Sequence, residues 1–336
     1  MAALHDETVR LAHGGGGSLT SRLLAELIWP VLAVAERGED AALADGVLVS
    51  TDSYVVRPMF FPGGDVGKLA VYGTVNDLAM RGGRPVAITV ALIIEEGVAT
   101  ELLARVVRSI ADAAARCGVA VVGGDTKVVE AGRGDGIFVN TTGVARPLAP
   151  AQQLPSIAQA AAGDAVLING SIGEHGIAVL AAREELDFAA EIESDCAPLH
   201  EMVAALIAEL GPKVHCLHDP TRGGLAAALN EIALASAKTI TVEESDIPVT
   251  PAVVGACELL GLDPLEVANE GKLVAVVDAS AADAALAIMK NFEVGRGAAV
   301  IGEVSDAQPV RVNLRTQIGT VRMVSMPSGE LLPRIC

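Results

Sequence analysis

Residues 119–126 read VAVVGGDT, a β-type apolar run that stops on two glycines and an acid. Ahead of it, TELLARVVRSIADAAARCG (100–118) spaces its apolar residues on a helical period, with Thr100 near its start and a glycine at its end. Before that, VAITVALII (86–94) is a short continuous apolar run, as a buried strand needs. Strand, helix and strand in this order predict an α/β protein. GGDT is then expected to be the loop that leaves the second strand.

The alternation extends both ways. Upstream, LLAELIWPVLAVAE (23–36) is amphipathic and expected to break at Pro30, DGVLVSTDSYVV (45–56) reads as a strand with Asp52 inside it, and Val66 to Met80 has helical spacing. Downstream, GIFVNTTGVA (136–145) is a further strand. PLAPAQQLPSIAQAAAGD (147–164) holds three prolines and little periodicity, so a domain boundary is expected near 150–155. The pattern then restarts. Strands are expected at AVLIN (165–169), VHC (214–216), KLVAVV (272–277), AAVIGEV (298–304), VRVNL (310–314) and TVRMVSM (320–326). Helices are expected within 173–183, 198–210, 222–236 and 279–291. Several neighbouring strands lack a crossover helix. The expected class is therefore α/β of the α+β type, two domains with mixed and antiparallel sheets and packed helices, rather than a doubly wound fold. The expected parts are a glycine-rich segment 1–40, a domain 41–153, a second domain 154–330 and a flexible tail 331–336.

Of the 336 residues 51% are apolar but only 2% aromatic, so the cores must be built from Ala, Val, Leu and Ile. The formal charge of −18 comes with no basic cluster, which makes nucleic acid an unexpected partner. The first residues carry acids and no long apolar stretch, so neither a secretory leader nor a membrane span is expected. Cysteines at 117, 196, 216, 257 and 336 form no CxxC pair and read as reduced thiols of a cytoplasmic protein.

The candidate chemistry lies in glycines and carboxylates. Gly14, Gly15, Gly16 and Gly17 read either as a linker or as bare backbone able to fold over an oligophosphate. PGGDVGKLA (62–70) is not a P-loop, because Pro62 stands where the first glycine belongs and Leu69 where Ser or Thr should follow the lysine. Asp52, Asp77, Asp125 and Asp219 each stand at an element edge or in an apolar run, beside Gly, Asn or Thr. Each alone reads as a cap or turn residue; four together suit a hard, oxygen-liganded ion such as Mg²⁺. The histidines at 200, 215 and 218 with Cys196 and Cys216 match no zinc spacing. His175 reads as a turn or cap residue, and Glu270 either as a solvated turn acid or as a functional one.

Cys336 is different from the other thiols. It ends a tail, LLPRIC, that Pro333 stiffens and whose residues could carry it on the order of 15–20 Å. An ordinary thiol titrates near about 8.5; its own carboxylate would raise that value and Arg334 would oppose the rise. Such a group is better suited to carrying a substituent than to attacking many substrates.

GGGG near the start, STDSYVV, GTVNDLAMRGG, VVGGDTKVV, HDPTRGGLAAALNE, VANEGKLV and the final PRIC together resemble the HypE family of carbamoyl dehydratases, which mature hydrogenases. That family is part of a superfamily with aminoimidazole ribonucleotide synthetase, thiamine-monophosphate kinase and selenophosphate synthetase. The resemblance implies a homodimer whose N-terminal sheets meet in a barrel-like interface, with ATP in a cleft between domains under the glycine-rich segment. It implies nucleotide contacts from Gly14–Gly17, Asp52, Asn76, Asp77, Gly124, Asp125 and Thr126, and Mg²⁺ on Asp52, Asp77, Asp125 and Asp219. Lys127 and Glu270 match catalytic positions, Glu270 as a base of ordinary pKa. Cys336 would receive a carbamoyl group from HypF, and the HypC–HypD complex would accept the cyano product for a [NiFe] hydrogenase. The competing readings are a synthetase of the superfamily acting on a small diffusible substrate and a non-catalytic assembly scaffold. No cysteine precedes Cys117, which counts against the first.

Overall fold

The structure, a computed structural model, describes residues 8–34, 36–186, 188, 191–329, 332 and 334–336. Pro333 and the first seven residues lie outside the described residues.

The chain enters through α1 (Ser18–Leu23) and α2 (Trp29–Leu32). Pro30 does not break the helix as expected: it occupies the first turn of α2, where the missing N–H costs nothing, and a π-turn over Leu24–Ile28 joins the two pieces. Next come β1 (Ala42–Ala44), β2 (Val47–Tyr54), a short hairpin of β3 (Phe60–Phe61) and β4 (Gly64–Asp65), α3 (Val66–Met80), β5 (Gly83–Glu95), α4 (Thr100–Cys117), β6 (Ala120–Val129) and β7 (Ile137–Pro147). Five of these strands form one mixed sheet in the order β1-β2-β7-β5-β6, parallel only between β5 and β6.

α3 is buried along almost its whole length, against β2, β7 and α4. Its start is set by Asp65, which accepts from the Gly67 and Lys68 N–H groups at 2.8 and 3.1 Å and from the Ser109 hydroxyl on α4 at 2.5 Å. One carboxylate thus caps one helix and ties it to the next.

Two expectations for this sheet need correction. β5 is only half-buried: Val86 and Ile93 are exposed, because the helices cover one face of the sheet alone. GGDT is not a loop. The strand continues through it to Val129, in parallel register with β5 (Asp125 opposite Ala91), and Gly124 permits a close approach, since a Cβ there would fall 1.9 Å from the Val90 carbonyl oxygen. β6 is the open edge of the sheet and is exposed over nearly its whole length, with Val121, Val122 and Val128 uncovered.

The chain then turns through the proline-rich stretch as two 3₁₀ turns. The remainder consists of β8 (Ala165–Ile168), α5 (Glu174–Glu184), α6 (His200–Leu210), β9 (Val214–His218), α7 (Gly224–Ser236), β10 (Thr239–Glu243), α8 (Pro251–Leu260), β11 (Val274–Val277), α9 (Ala282–Lys290), β12 (Ala299–Ser305), β13 (Val312–Arg315) and β14 (Val321–Val324). Its seven strands run in the order β14-β13-β10-β12-β8-β11-β9, with β10 and β13 the parallel pair. The central strands are buried on both faces, under α7 on one side and α6 and α9 on the other. β10 and α8 carry no clear periodic signature; tertiary packing and the Thr250 cap on the Val253 N–H decide them. No helix among the described residues is long and apolar enough to cross a membrane.

Asp65→Ala should cost roughly 1–3 kcal/mol, a cap plus a hydroxyl left unpaired against it. Asp65→Asn, which keeps an acceptor, should lose less than half as much. Denaturant midpoints of the two variants check this, and equal midpoints would remove the carboxylate from the account of α3.

Candidate active site

A cleft of about 930 Å³ lies between the glycine-rich segment, β2, α3 and the loop after β9, and Asp52, Asp77, Asp219, Arg222, Glu270 and Cys336 all line it. Asp52 reaches it from β2 and accepts from the Ser53 N–H at 2.7 Å. Asp77 projects from α3 and accepts from the Ser50 hydroxyl at 2.7 Å. Burial, then Asp219, Asp52 and Asp40, push the Asp77 carboxyl well above the usual range; burial and Asp40 do the same to Asp219. These are negative charges without enough positive partners. Hard oxygen donors in such surroundings fit a divalent cation.

His218 shows why zinc is not the reading here. Its Nδ1 meets Asp40 at 2.8 Å and its Nε2 meets Glu231 at 2.7 Å, so both ring nitrogens are committed. Burial opposes its charge, but the two carboxylates outweigh burial and hold it as an imidazolium, its pKa well above the ordinary value. A ligand atom of Asp40, one of His218 and one of Asp219 lie within 4.8 Å of one another, and the carboxylates are the donors left to offer. His215 is paired instead with Asp164 at 2.7 Å.

The glycine run is folded rather than a free linker. Gly16 has φ +78° and a Cβ there would stand 2.5 Å from the Arg222 Cβ, so this turn can close on Arg222 only as glycine. Gly17 precedes α1, whose Ser18 N–H donates to the Pro327 carbonyl oxygen. Gly14 and Gly15 line a small cavity shared with Arg222, Ile335 and Cys336.

The composition-based picture of an exposed thiol on a loose arm is corrected for this state: Ile335 and Cys336 are 3% and 8% exposed and belong to the core around α3. The Val55 N–H donates to a carboxylate oxygen of Cys336 at 3.0 Å and the Arg57 N–H to the Arg334 carbonyl oxygen at 3.3 Å, just beyond the end of β2. Arg334 turns away from the thiol, its Nε on the Val55 carbonyl oxygen and its Nη1 on Asp135. The cation that faces the thiol is Arg222. Burial pushes the Cys336 thiol up to about 12, with Arg222 opposing and Glu270 and Asp52 adding to the rise. A docked Cys336 is a neutral thiol.

Glu270 is neither a solvated turn acid nor a base of ordinary pKa. It is buried, its Oε1 has no hydrogen-bond partner among the described residues, and burial followed by Asp219, Asp195 and Asp52 raises it well above the usual carboxylate range. Asn76 is turned to the protein itself: its amide NH₂ donates to the carbonyl oxygens of Ala197 and Glu270 and its Oδ1 accepts from the Leu199 N–H, so it braces the site and does not line the cleft. Gly124, Asp125, Thr126 and Lys127 do not reach the cleft within one chain. They stand on β6, where Lys127 Nζ meets Asp125 at 2.6 Å and holds that carboxyl below its usual range. Sequence reasoning missed the role of Arg222, which lies inside the HDPTRGG motif, and read His175 as a turn or cap residue; only contacts distant in sequence single them out.

Two families of sequence match this chain: AIR synthase related protein, N-terminal domain, over residues 38–146, and its C-terminal domain over 161–315. Carbamoyl dehydratase HypE of Cupriavidus necator is 48% identical over 335 residues, spanning 98% of this chain and 95% of the relative. The Escherichia coli HypE is 42% identical over 339 residues, spanning 98% and 99%. Among solved structures, the HypE–HypF complex superposes with a TM-score of 0.86 at 46% identity, over 93% of this chain and all of the other. HypE in complex with ATP gives 0.84 at 43%, over 98% of this chain and all of the other. The fold, the cleft and the matches over nearly the full length agree, and the chain belongs to the HypE family of carbamoyl dehydratases, hydrogenase maturation proteins of AIR synthase-related architecture.

Proposed function

We infer that this chain dehydrates a carbamoyl group carried on its own Cys336, with ATP, to a thiocyanate that supplies cyanide ligands for the iron of a [NiFe] hydrogenase. The observation that carries the reading is the docked arm: Cys336 lies in the same cleft as Glu270, Arg222 and three buried or half-buried aspartates.

The bond to be broken is a carbonyl C–O bond, and oxide is a very poor leaving group. Transfer of the ATP γ-phosphoryl to that oxygen makes it leave as phosphate. Both N–H protons also depart, so Cys–S–C(=O)NH₂ and ATP give Cys–S–C≡N, ADP, hydrogen phosphate and one proton. Asp52, Asp77 and Asp219 would hold Mg²⁺, which neutralises charge on transferring phosphoryl groups. Arg222 places a fixed positive charge beside the sulfur. Glu270, raised in pKa and with Oε1 unpartnered, is a stronger base once ionised than a solvent-exposed carboxylate, and takes a proton from nitrogen. Burial of the arm excludes the water that would hydrolyse the activated group. Gly14–Gly17 cover the nucleotide. HypF, crystallised with a relative, is the carbamoyl donor, and the HypC–HypD complex the cyano acceptor.

Asp125 and Lys127 lie outside their own cleft, on an open sheet edge rich in valine. We propose a homodimer in which two such sheets meet, barrel-like, and in which Asp125 and Lys127 serve the cleft of the other copy. This covers the apolar edge and adds a cation where phosphoryl charge develops.

After incubation with HypF, carbamoyl phosphate and ATP, the C-terminal peptide released by a glutamate-specific protease should lose 18 mass units from its carbamoylated form, only when ATP is present. Cys336→Ala should abolish this while ATP binding persists, and Glu270→Gln should slow it at least ~100-fold. Lys127→Ala and Cys336→Ala chains, each inactive alone, should regain the mass loss on the Lys127→Ala chain when mixed and allowed to exchange. No recovery would retire the shared site.

The docked thiol also dictates a pH dependence. Its pKa is higher docked than free, so docking is intact below about 8.5 and weakens as pH climbs from there towards about 12. Alkylation of Cys336 should therefore rise about tenfold per pH unit to pH 10 in the folded chain, whereas in the isolated peptide LLPRIC it levels off near the ordinary thiol pKa. Levelling off at the same pH in both would show that the arm is not held.

A further inference from the structure

In the stretch 191–199 that leads into α6, two adjacent residues serve the two sides of the site, one through His175 the docked arm and the other Glu270. The Ser194 hydroxyl bonds His175 Nδ1 at 2.8 Å, and His175 Nε2 bonds the Ile335 carbonyl oxygen at 2.9 Å. A carbonyl only accepts, so His175 donates through Nε2–H and accepts the serine proton at Nδ1. The ring is fully buried, and burial lowers its pKa, which keeps it in that neutral form. It also lies 4.0 Å from Glu270 Oε1, but its proton is committed to the arm, which leaves that oxygen free.

Asp195 serves the other side. Its carboxylate accepts from the Glu270 N–H at 3.1 Å and the Gly271 N–H at 3.2 Å, and pairs with Lys272 Nζ at 3.0 Å. Burial works against the charge, but Lys272 and the Glu270 N–H outweigh it and hold the carboxyl below its usual range. The segment is itself fastened. The Ser194 N–H donates to the Pro62 carbonyl oxygen at 2.9 Å and Asn76 grips Ala197 and Leu199. A Cβ on Gly271 would fall 1.9 Å from the Asp195 carbonyl oxygen, so the two stretches are in contact with no slack.

We infer that Ser194 and Asp195 are paired positioning residues: Ser194, through His175, sets where the arm bearing Cys336 lies, and Asp195, through two backbone N–H groups, sets where Glu270 lies. This rests on Cys336 as the carrier and Glu270 as the base. Neither Ser194 nor Asp195 needs to touch the reacting atoms. Because they are consecutive, the spacing between substrate and base is tied to one Cα–Cα step of about 3.8 Å in a fastened segment. Reactions of this kind lose rate steeply when such a spacing drifts.

The test uses full-length Ser194→Ala, His175→Ala, His175→Gln, Asp195→Asn and Asp195→Asn/Lys272→Gln, with two readouts. The first is alkylation of Cys336 by iodoacetamide at pH 7.5 without nucleotide, read by mass on the C-terminal peptide. The second is the single-turnover loss of 18 mass units from the carbamoylated chain. S194A and H175A should raise alkylation about tenfold and slow dehydration by a similar factor, as loss of one buried hydrogen bond implies. H175Q, whose amide can donate to the Ile335 carbonyl, should recover most of both. D195N should leave alkylation within about twofold of wild type and slow dehydration about tenfold. The double variant leaves no lone buried ammonium, so the same loss in it with an unchanged unfolding temperature assigns the effect to position rather than stability. The inference is overturned if S194A and H175A leave alkylation unchanged, or if D195N and the double variant dehydrate at the wild-type rate. A wild-type chain that never loses 18 units would instead sink the carrier-and-base reading, while the alkylation series still reports whether Ser194 and His175 hold the arm.

Discussion

Arg222 meets both the glycine-rich segment and the terminal cysteine. Its Cβ lies directly under Gly16, and its charge faces Cys336, Asp52 and Glu270, so its own pKa is pushed further up, first by the Cys336 sulfur once ionised and then by the carboxylates. Take away that cation and the cleft holds acids that burial and one another have already driven towards neutrality. The closed site therefore depends on an electrostatic imbalance: more buried negative charge than the protein itself neutralises. A cleft in that state is built to receive cations, and it holds the thiol neutral.

The same imbalance separates the two halves of the task. A docked thiol with pKa near about 12 is a poor acceptor for any activated acyl group, and a thiol on a free arm is an ordinary one. Under the proposed carrier role of Cys336, loading therefore belongs to the undocked arm and dehydration to the docked one. The contacts that hold the arm combine backbone and side chain: Val55 and Arg57 N–H groups on oxygens of Cys336 and Arg334, His175 and Arg183 on the Ile335 and Arg334 carbonyl oxygens, and the Arg334 side chain on Val55 and Asp135.

In the proposed dimer, β6 would serve packing and chemistry together. Gly124 allows a close parallel approach to β5, and the following Asp125 and Lys127 are displayed on an exposed ribbon rather than in the chain's own cleft. An open, valine-rich edge is a liability in a lone chain and an asset in a paired one.

The alternation of apolar runs was enough to read α3, α4, β7 and most strands of the second sheet, because period and length are local properties. The same is true of the carboxylates as a class, since acids placed in apolar runs are visible one residue at a time. What could not be read locally was partnership. Nothing near Asn76 in sequence shows that its amide is spent on Ala197, Leu199 and Glu270, and nothing near His175 shows that it grips Ile335. Glu270 looked like a turn acid of ordinary pKa because the groups that raise it lie at positions 52, 195 and 219. The sequence by itself determined the elements, the acidic inventory and a thiol at residue 336. Tertiary structure alone decided which acids are buried together, that the thiol is docked among them, and that Asp125 and Lys127 face outward. Burial and charge coupling are sums over residues far apart in the chain, and only folding brings them within reach of one another.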